Sequence, residues 1–192
     1  ETGFSNLNEY VWRYKGVGFY YFAQIYFLIF GIIIEFKDLS ETISKVLLIH
    51  GLIFTTFFLS AIFSKKIIKL LIKDSFYSNI FLLFYLTYPY LLGHGFFNTT
   101  DTPFLFAWIL CTYISINIFL DIHKKKDVSF LIIFILSFTT AFLLSIRISG
   151  IMIFLQYLIF LIITSRLIDY TFFNLIRLYL FKLFFFIFFV LI

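Results

Sequence analysis

Val46-Leu47-Leu48-Ile49-His50-Gly51-Leu52-Ile53-Phe54-Thr55-Thr56-Phe57-Phe58-Leu59-Ser60-Ala61-Ile62-Phe63-Ser64 contains no Asp, Glu, Lys or Arg, and Lys65-Lys66-Ile67-Ile68-Lys69 follows it at once. About 20 mostly apolar residues are what an α-helix needs to cross the hydrocarbon core of a bilayer. Similar runs cover Asn79–Gly93, Pro103–Leu120, Ser129–Ile146 and Gly150–Ser165, and a last one starts near Arg177 and continues to Ile192. The expected fold is therefore all-α, a polytopic transmembrane helix bundle. Its spans are expected at 46–64, 79–93, 103–120, 129–146, 150–165 and 177–192, within one membrane domain over residues 1–192. The chain opens Glu1-Thr2-Gly3 and stops inside an apolar run, which reads as a bundle truncated at both ends. The opening residues lack the charged n-region and apolar h-region of a signal peptide.

Composition supports the same class. Hydrophobic residues make up 62% of the 192 and charged residues 13%, against roughly 25% charged in an average soluble domain. A soluble chain of this size has no core large enough to hide so much apolar surface. The net charge of +5 is not a nucleic-acid footprint, because the lysines fall in short connections and form no basic face with interleaved aromatics. The lone Cys111 forms no internal disulfide and reads as a small residue facing lipid or a neighbouring helix. The chain holds no phosphate-binding glycine loop, no His-Glu-x-x-His pair and no internal repeat.

Loop charges orient the bundle. Lys65, Lys66, Lys69 and Lys73, then Lys124 to Lys126, then Arg166, each follow an apolar run. The positive-inside rule places these connections in the cytoplasm. The His94–Thr102 connection, which lacks Lys and Arg, and the turn at Arg147 then lie outside, as does Glu35–Lys45, so that Phe19–Ile34 either spans from the cytoplasm or lies in an external loop. Hydropathy alone favours a span at Phe19–Ile34, although its 16 uncharged residues are short for one. Lys65 to Lys73 alternate with Ile and Leu and read as an amphipathic collar on the headgroups.

Polar residues at the ends of these runs are the candidates for chemistry. In Gly93-His94-Gly95-Phe96-Phe97-Asn98-Thr99-Thr100-Asp101-Thr102-Pro103, Thr100 or Asp101 can cap the next helix, with Pro103 in its first turn. Asp101 is also a carboxylate at the membrane face, able to meet a metal or a polar substrate. His94 reads either as an interfacial histidine or as a substrate contact. Asn98-Thr99-Thr100 fits the glycosylation sequon, a pattern short enough to recur by chance. Arg147 sits in Ile146-Arg147-Ile148-Ser149-Gly150. An arginine at the membrane edge is costly and marks a functional position or a side chain snorkelling to headgroups. Its planar fork suits a phosphate. His50 and Glu41 are polar in costly places, and the sequence names no partner for either.

Several of these segments resemble the GT-C membrane glycosyltransferases, in particular the protein O-mannosyltransferases, aminoarabinose transferases and their bacterial relatives. His94-Gly95-Phe96-Phe97-Asn98-Thr99-Thr100-Asp101-Thr102-Pro103-Phe104 is similar to a His-Ser-Phe-Asn-x-Lys-Asp-x-Pro-Phe pattern of that group. Ile146 to Gly150 resembles its Arg-x-x-Gly turn. Tyr14-Lys15-Gly16 stands where His-Pro-Pro begins a juxtamembrane helix in the first external loop, and 38–60 resembles the second transmembrane helix. Together with the loop charges, the resemblance makes residues 19–34 an interfacial juxtamembrane helix rather than a span, within an external loop over 1–45. It implies transfer of a sugar from a polyprenyl-phosphate donor to an acceptor at the outer face of a bacterial inner membrane. In that scheme Arg147 holds the donor phosphate, Asp101 supports catalysis, His94 and Asn98 contact the polar substrate, and the principal acidic base lies upstream of Glu1. A divalent metal is compatible with the scheme. Membrane lipid is the remaining expected partner. The competing expectation is a non-enzymatic bundle, either part of a transporter or an accessory subunit of a membrane complex.

Overall fold

The lysine-flanked run belongs to the longest helix among the described residues. A computed structural model describes residues 18–33, 41–124, 126–167, 179, 182 and 185–190, and every regular element among them is helical. In chain order they are α1 (Gly18–Ile33), α2 (Glu41–Ile72), α3 (Ser75–Thr87), α4 (Pro89–Phe97), α5 (Asp101–His123), α6 (Phe130–Ile146), a 3-10 turn (Ile148–Met152) and α7 (Ile153–Leu167). Among the described residues three stretches are long and apolar enough to cross a membrane: Val46–Ile72, Asp101–His123 and Ile148–Leu167. These are the marks of a membrane protein. α6 follows the expected 129–146 run, but its 17 residues rise only about 25 Å. The expected span at 177–192 is described only at Tyr179, Lys182 and 185–190, which are helical. Residues 1–17, with Tyr14-Lys15-Gly16, lie outside the described residues.

Backbone contacts separate two units, Glu1–Phe106 with Ser145–Arg147, and Ala107–Leu144 with Ile148–Ile192. In the first, α2 is the spine. Leu52, Ile53, Thr56, Phe57, Ser60 and Ala61 are buried, at the spacing that puts them on one helix face. Phe54 and Phe58, on the other side, stand exposed. Thr56 and Ser60 return their hydroxyls to the carbonyls of Ile53 (2.7 Å) and Phe57 (2.6 Å). Such small side chains let neighbouring helices approach closely without leaving a polar atom unsatisfied.

α2 does not stop at Ser64 as the hydropathy alone suggests. It continues through the lysines to Ile72, so the collar is one piece with the apolar helix. Lys73 ends it in the left-handed conformation (φ 58°) and donates its N–H to Lys69 O at 3.0 Å. Asp74 then caps α3, accepting the Phe76 N–H at 2.7 Å. This two-residue turn sends α3 back antiparallel along α2. Ser60 Oγ meets Tyr85 Oη at 2.8 Å, and further along Phe54 stacks on Phe96 with ring centroids 5.3 Å apart.

The single helix expected at 79–93 is two helices. Pro89 has no N–H to give, and its ring crowds the preceding turn. Tyr88 is accordingly extended (φ −65°, ψ 113°), ending α3 and starting α4. α4 then absorbs His94 to Phe97, which the sequence assigns to a loop. Only residues 98–100 remain between α4 and α5.

The second unit is tied by side-chain polar bonds between its helices. Trp108 Nε1 donates to Gln156 Oε1 (3.0 Å), and Gln156 Nε2 donates to Thr112 Oγ1 (2.9 Å). Thr140 Oγ1 and Tyr157 Oη lie 2.8 Å apart. Cys111 is fully buried, 3.8 Å from Thr140 Oγ1, so of the two surroundings expected for it, lipid or a neighbouring helix, it takes the second.

Candidate functional site

The site starts from the break at Pro89, which frees a nine-residue helix to take its own direction. α4 is held against α2 at three points. His50 Nδ1 lies 2.5 Å from Phe96 O, Phe54 stacks on Phe96, and Gly95 sits directly on Phe57. A Cβ at Gly95 would lie 2.8 Å from Phe57 Cγ, closer than two carbons can pack. The partner that the sequence does not name for His50 is therefore the carbonyl end of α4, where a histidine N–H meets a helix C-terminus favourably. The Glu41 side chain lies outside the described residues.

At the end of α4, the chain turns on Asn98. Its Oδ1 accepts the backbone N–H of Thr100 (3.1 Å) and of Asp101 (2.7 Å), and the Thr100 hydroxyl (3.2 Å). Thr100 supplies the first carbonyl of α5, bonded to the Phe104 N–H at 3.1 Å. Neither Thr100 nor Asp101 provides the capping side chain that the sequence suggests; Asn98 does. Because Asn98 satisfies these N–H groups, the Asp101 carboxylate is available for other partners.

The amide of Asn98 also sets the histidine. With Oδ1 held by backbone donors, the other end must be Nδ2, which donates to Asp101 Oδ2 (2.6 Å) and to His94 Nδ1 (2.8 Å). A nitrogen that accepts carries no proton, so the neutral His94 ring holds its hydrogen on Nε2. Thr102 Oγ1 donates to His94 O at 2.9 Å and fastens α5 to the last turn of α4.

Arg147 completes the group from the turn after α6. Its Nη1 lies 2.5 Å from Asp101 Oδ1, and its Nη2 donates to Thr100 Oγ1 at 3.1 Å. The guanidinium also approaches the Phe104 ring, 6.0 Å from its centroid. Gly18 explains how the Arg147 segment reaches this place. A Cβ on Gly18 would overlap the Ser145 side chain, so only glycine lets α1 and this stretch come together. The Arg147 and Asp101 side chains keep 36% and 45% of their surface exposed. The pair is therefore open to solutes, and its own contribution to stability is small.

These residues line one open cleft of about 820 Å³. Asp101, Arg147, His94 and Asn98, the four side chains singled out from the sequence, all border it. Thr100, which the sequence marks only as a possible cap, borders it too, and so does Tyr90, which the sequence does not mark. The Tyr90 ring packs on His94 with centroids 4.4 Å apart. Their spacing of four residues on α4 is the only signal that would have found Tyr90. Among the described residues no group of three or more His, Cys, Asp and Glu side chains is placed to hold a metal ion. Asp101 and His94 alone do not make a ligand set for a divalent cation, so no step is assigned to one. Chemically, the cleft offers a fixed cation, a carboxylate, an imidazole N–H and an amide around a space large enough for a small polar molecule. No family model, no curated protein and no solved structure matches the chain.

Proposed function

We propose that this cleft binds a polyprenyl-phosphate sugar donor and that the protein acts as a glycosyltransferase on the non-cytoplasmic face of its membrane. The observation that supports this most is the meeting of Arg147 and Asp101, remote in sequence, in one half-exposed cleft at helix ends of an apolar bundle. A lipid-borne phosphate sits at headgroup depth, and a helix-end arginine meets it there without crossing hydrocarbon. Lys65 lies 15 residues beyond His50 along α2, roughly 22 Å by helical rise. The lysine collar and the cleft are thus near opposite ends of the helix, as the loop charges require.

In this reading Arg147 turns part of its fork from Thr100 to a phosphate oxygen. The bond between the anomeric carbon and the phosphate oxygen breaks, and its electron pair leaves with the phosphate, whose charge Arg147 stabilises. The acceptor hydroxyl oxygen bonds to the anomeric carbon while its proton passes to a general base. Asp101 supports the step by orienting Arg147, and His94 contacts the sugar, while Asn98, whose two amide hydrogens go to His94 and Asp101, holds these groups in place.

The test is binding of polyprenyl phosphate and of the corresponding polyprenol, which lacks the phosphate, to the chain in nanodiscs. A hydrogen bond to a charged group is worth about 1.5–3 kcal/mol, so Arg147→Ala should weaken polyprenyl phosphate binding roughly 10- to 150-fold and leave polyprenol binding unchanged. Equal affinity of the wild type for phosphate and alcohol overturns the reading. It would leave the Arg147–Asp101 pair as a tie between helices in a non-enzymatic bundle.

A further inference from the structure

We infer that Tyr90 is the stacking platform of a saccharide subsite, which receives the sugar ring of the ligand whose phosphate meets Arg147. This rests on the cleft assignment above and adds the face that recognises the sugar.

The Tyr90 ring is 65% exposed although it packs against His94. An exposed tyrosine in a membrane protein has an ordinary explanation, the aromatic belt at the headgroup level. Tyr88, 55% exposed and two residues away, is accounted for in that way, because it does not border the cleft. Tyr90 does border it, beside Gly93. Nothing lies within 4 Å of the place a Gly93 Cβ would occupy. The α4 surface at Gly93, beside the Tyr90 ring, is therefore bare enough for a flat ligand to lie against it.

The chemistry around that bare surface is two-sided. One side is the apolar face of an aromatic ring. The rim holds the His94 Nε2–H as donor, the Asp101 carboxylate as acceptor and the Arg147 guanidinium as donor. A pyranose has the matching surface: a C–H face that packs on an aromatic ring, and equatorial hydroxyls that both donate and accept around its edge. An aliphatic headgroup would leave the rim unused, and a bare phosphate would leave the ring unused. Ligand sites of this type combine apolar walls with a few converging polar groups that set orientation.

Two ligands separate this inference from the one beneath it: polyprenyl phosphate, and polyprenyl phosphate carrying glucose or mannose. Wild type should bind one of the glycosylated lipids more tightly than the bare phosphate. Tyr90→Ala should remove that preference, a loss on the order of three- to tenfold, with bare phosphate binding unchanged. Tyr90→Phe keeps the ring and should retain it, and so should Tyr88→Ala. A sugar preference that survives Tyr90→Ala overturns the platform, and so does a wild type indifferent to the sugar. If instead Tyr90→Ala abolishes the preference while Arg147→Ala weakens neither lipid, the saccharide subsite stands and the phosphate assignment fails. Because Tyr90 is exposed, its replacement leaves the packed interior intact, which melting temperatures of the variants will verify.

Discussion

Asn98 makes the site possible, and it does so by taking two jobs at once. One end of its amide caps α5, and the other links His94 to Asp101. Asn98→Ala should therefore cost about 1 kcal/mol for the lost cap. Asn98→Asp separates the two jobs. The new carboxylate still accepts the N–H groups of Thr100 and Asp101, but it turns the 2.6 Å contact with Asp101 into a meeting of like charges. We expect Asn98→Asp to be no more stable than Asn98→Ala at neutral pH in thermal or denaturant unfolding. If Asn98→Asp instead regains the full worth of the cap, the Nδ2 bonds carry no weight. The sequence marks Asn98 as a polar residue between apolar runs, and its role as a cap depends on where α4 ends. That in turn depends on how far the helix runs past His94, which no local pattern shows.

At the scale of elements, the position of α4 is decided by two glycines that look alike in sequence. Gly95 has Phe57 against it, and Gly93 faces open space. Gly95→Ala should push α4 off α2 at a cost of about 1–3 kcal/mol, the usual range for overpacking a tight contact. Gly93→Ala should be neutral or add up to about 1 kcal/mol, because alanine is the better helix former. Melting temperatures of the two variants in the same detergent give the comparison, and a Gly95→Ala protein as stable as Gly93→Ala would show that the Phe57 contact is not a constraint. The kink at Pro89 belongs to this scale as well. It is legible in sequence as a proline inside an apolar run, whereas hydropathy averaged over 79–93 passes across it. The lysine collar shows the converse: hydropathy ends at Ser64, yet backbone hydrogen bonding has no reason to stop there, and α2 runs on to Ile72.

For the whole molecule, large apolar side chains stand exposed in both units, Leu83 and Phe84 in the first and Leu131 and Phe138 in the second. In water such surface would aggregate, and in lipid it costs nothing. The second unit also carries an ion pair across a long sequence interval, Lys182 with Asp127. The hydrogen bond from Lys182, reinforced by its charge, lowers the Asp127 carboxyl below its usual value. A lowered folded-state pKa means that the pair contributes above the ordinary carboxylate range, and the contribution fades as pH falls through the lowered value. Lys182→Gln should raise the Asp127 titration back toward the ordinary carboxylate range, read by carboxyl NMR, and an Asp127 titration that does not move with the substitution would remove the pair from the account. Sequence alone determined that this is a helical membrane protein and which polar residues were worth watching. Hydropathy, loop charge and the price of an arginine beside lipid are properties counted along one dimension. Only tertiary structure decided that Arg147 meets Asp101, that His50 holds the end of α4 and that Tyr90 faces the cleft. Those contacts depend on where Pro89 redirects the chain, and on the close approaches that Gly18 and Gly95 permit by having no side chain.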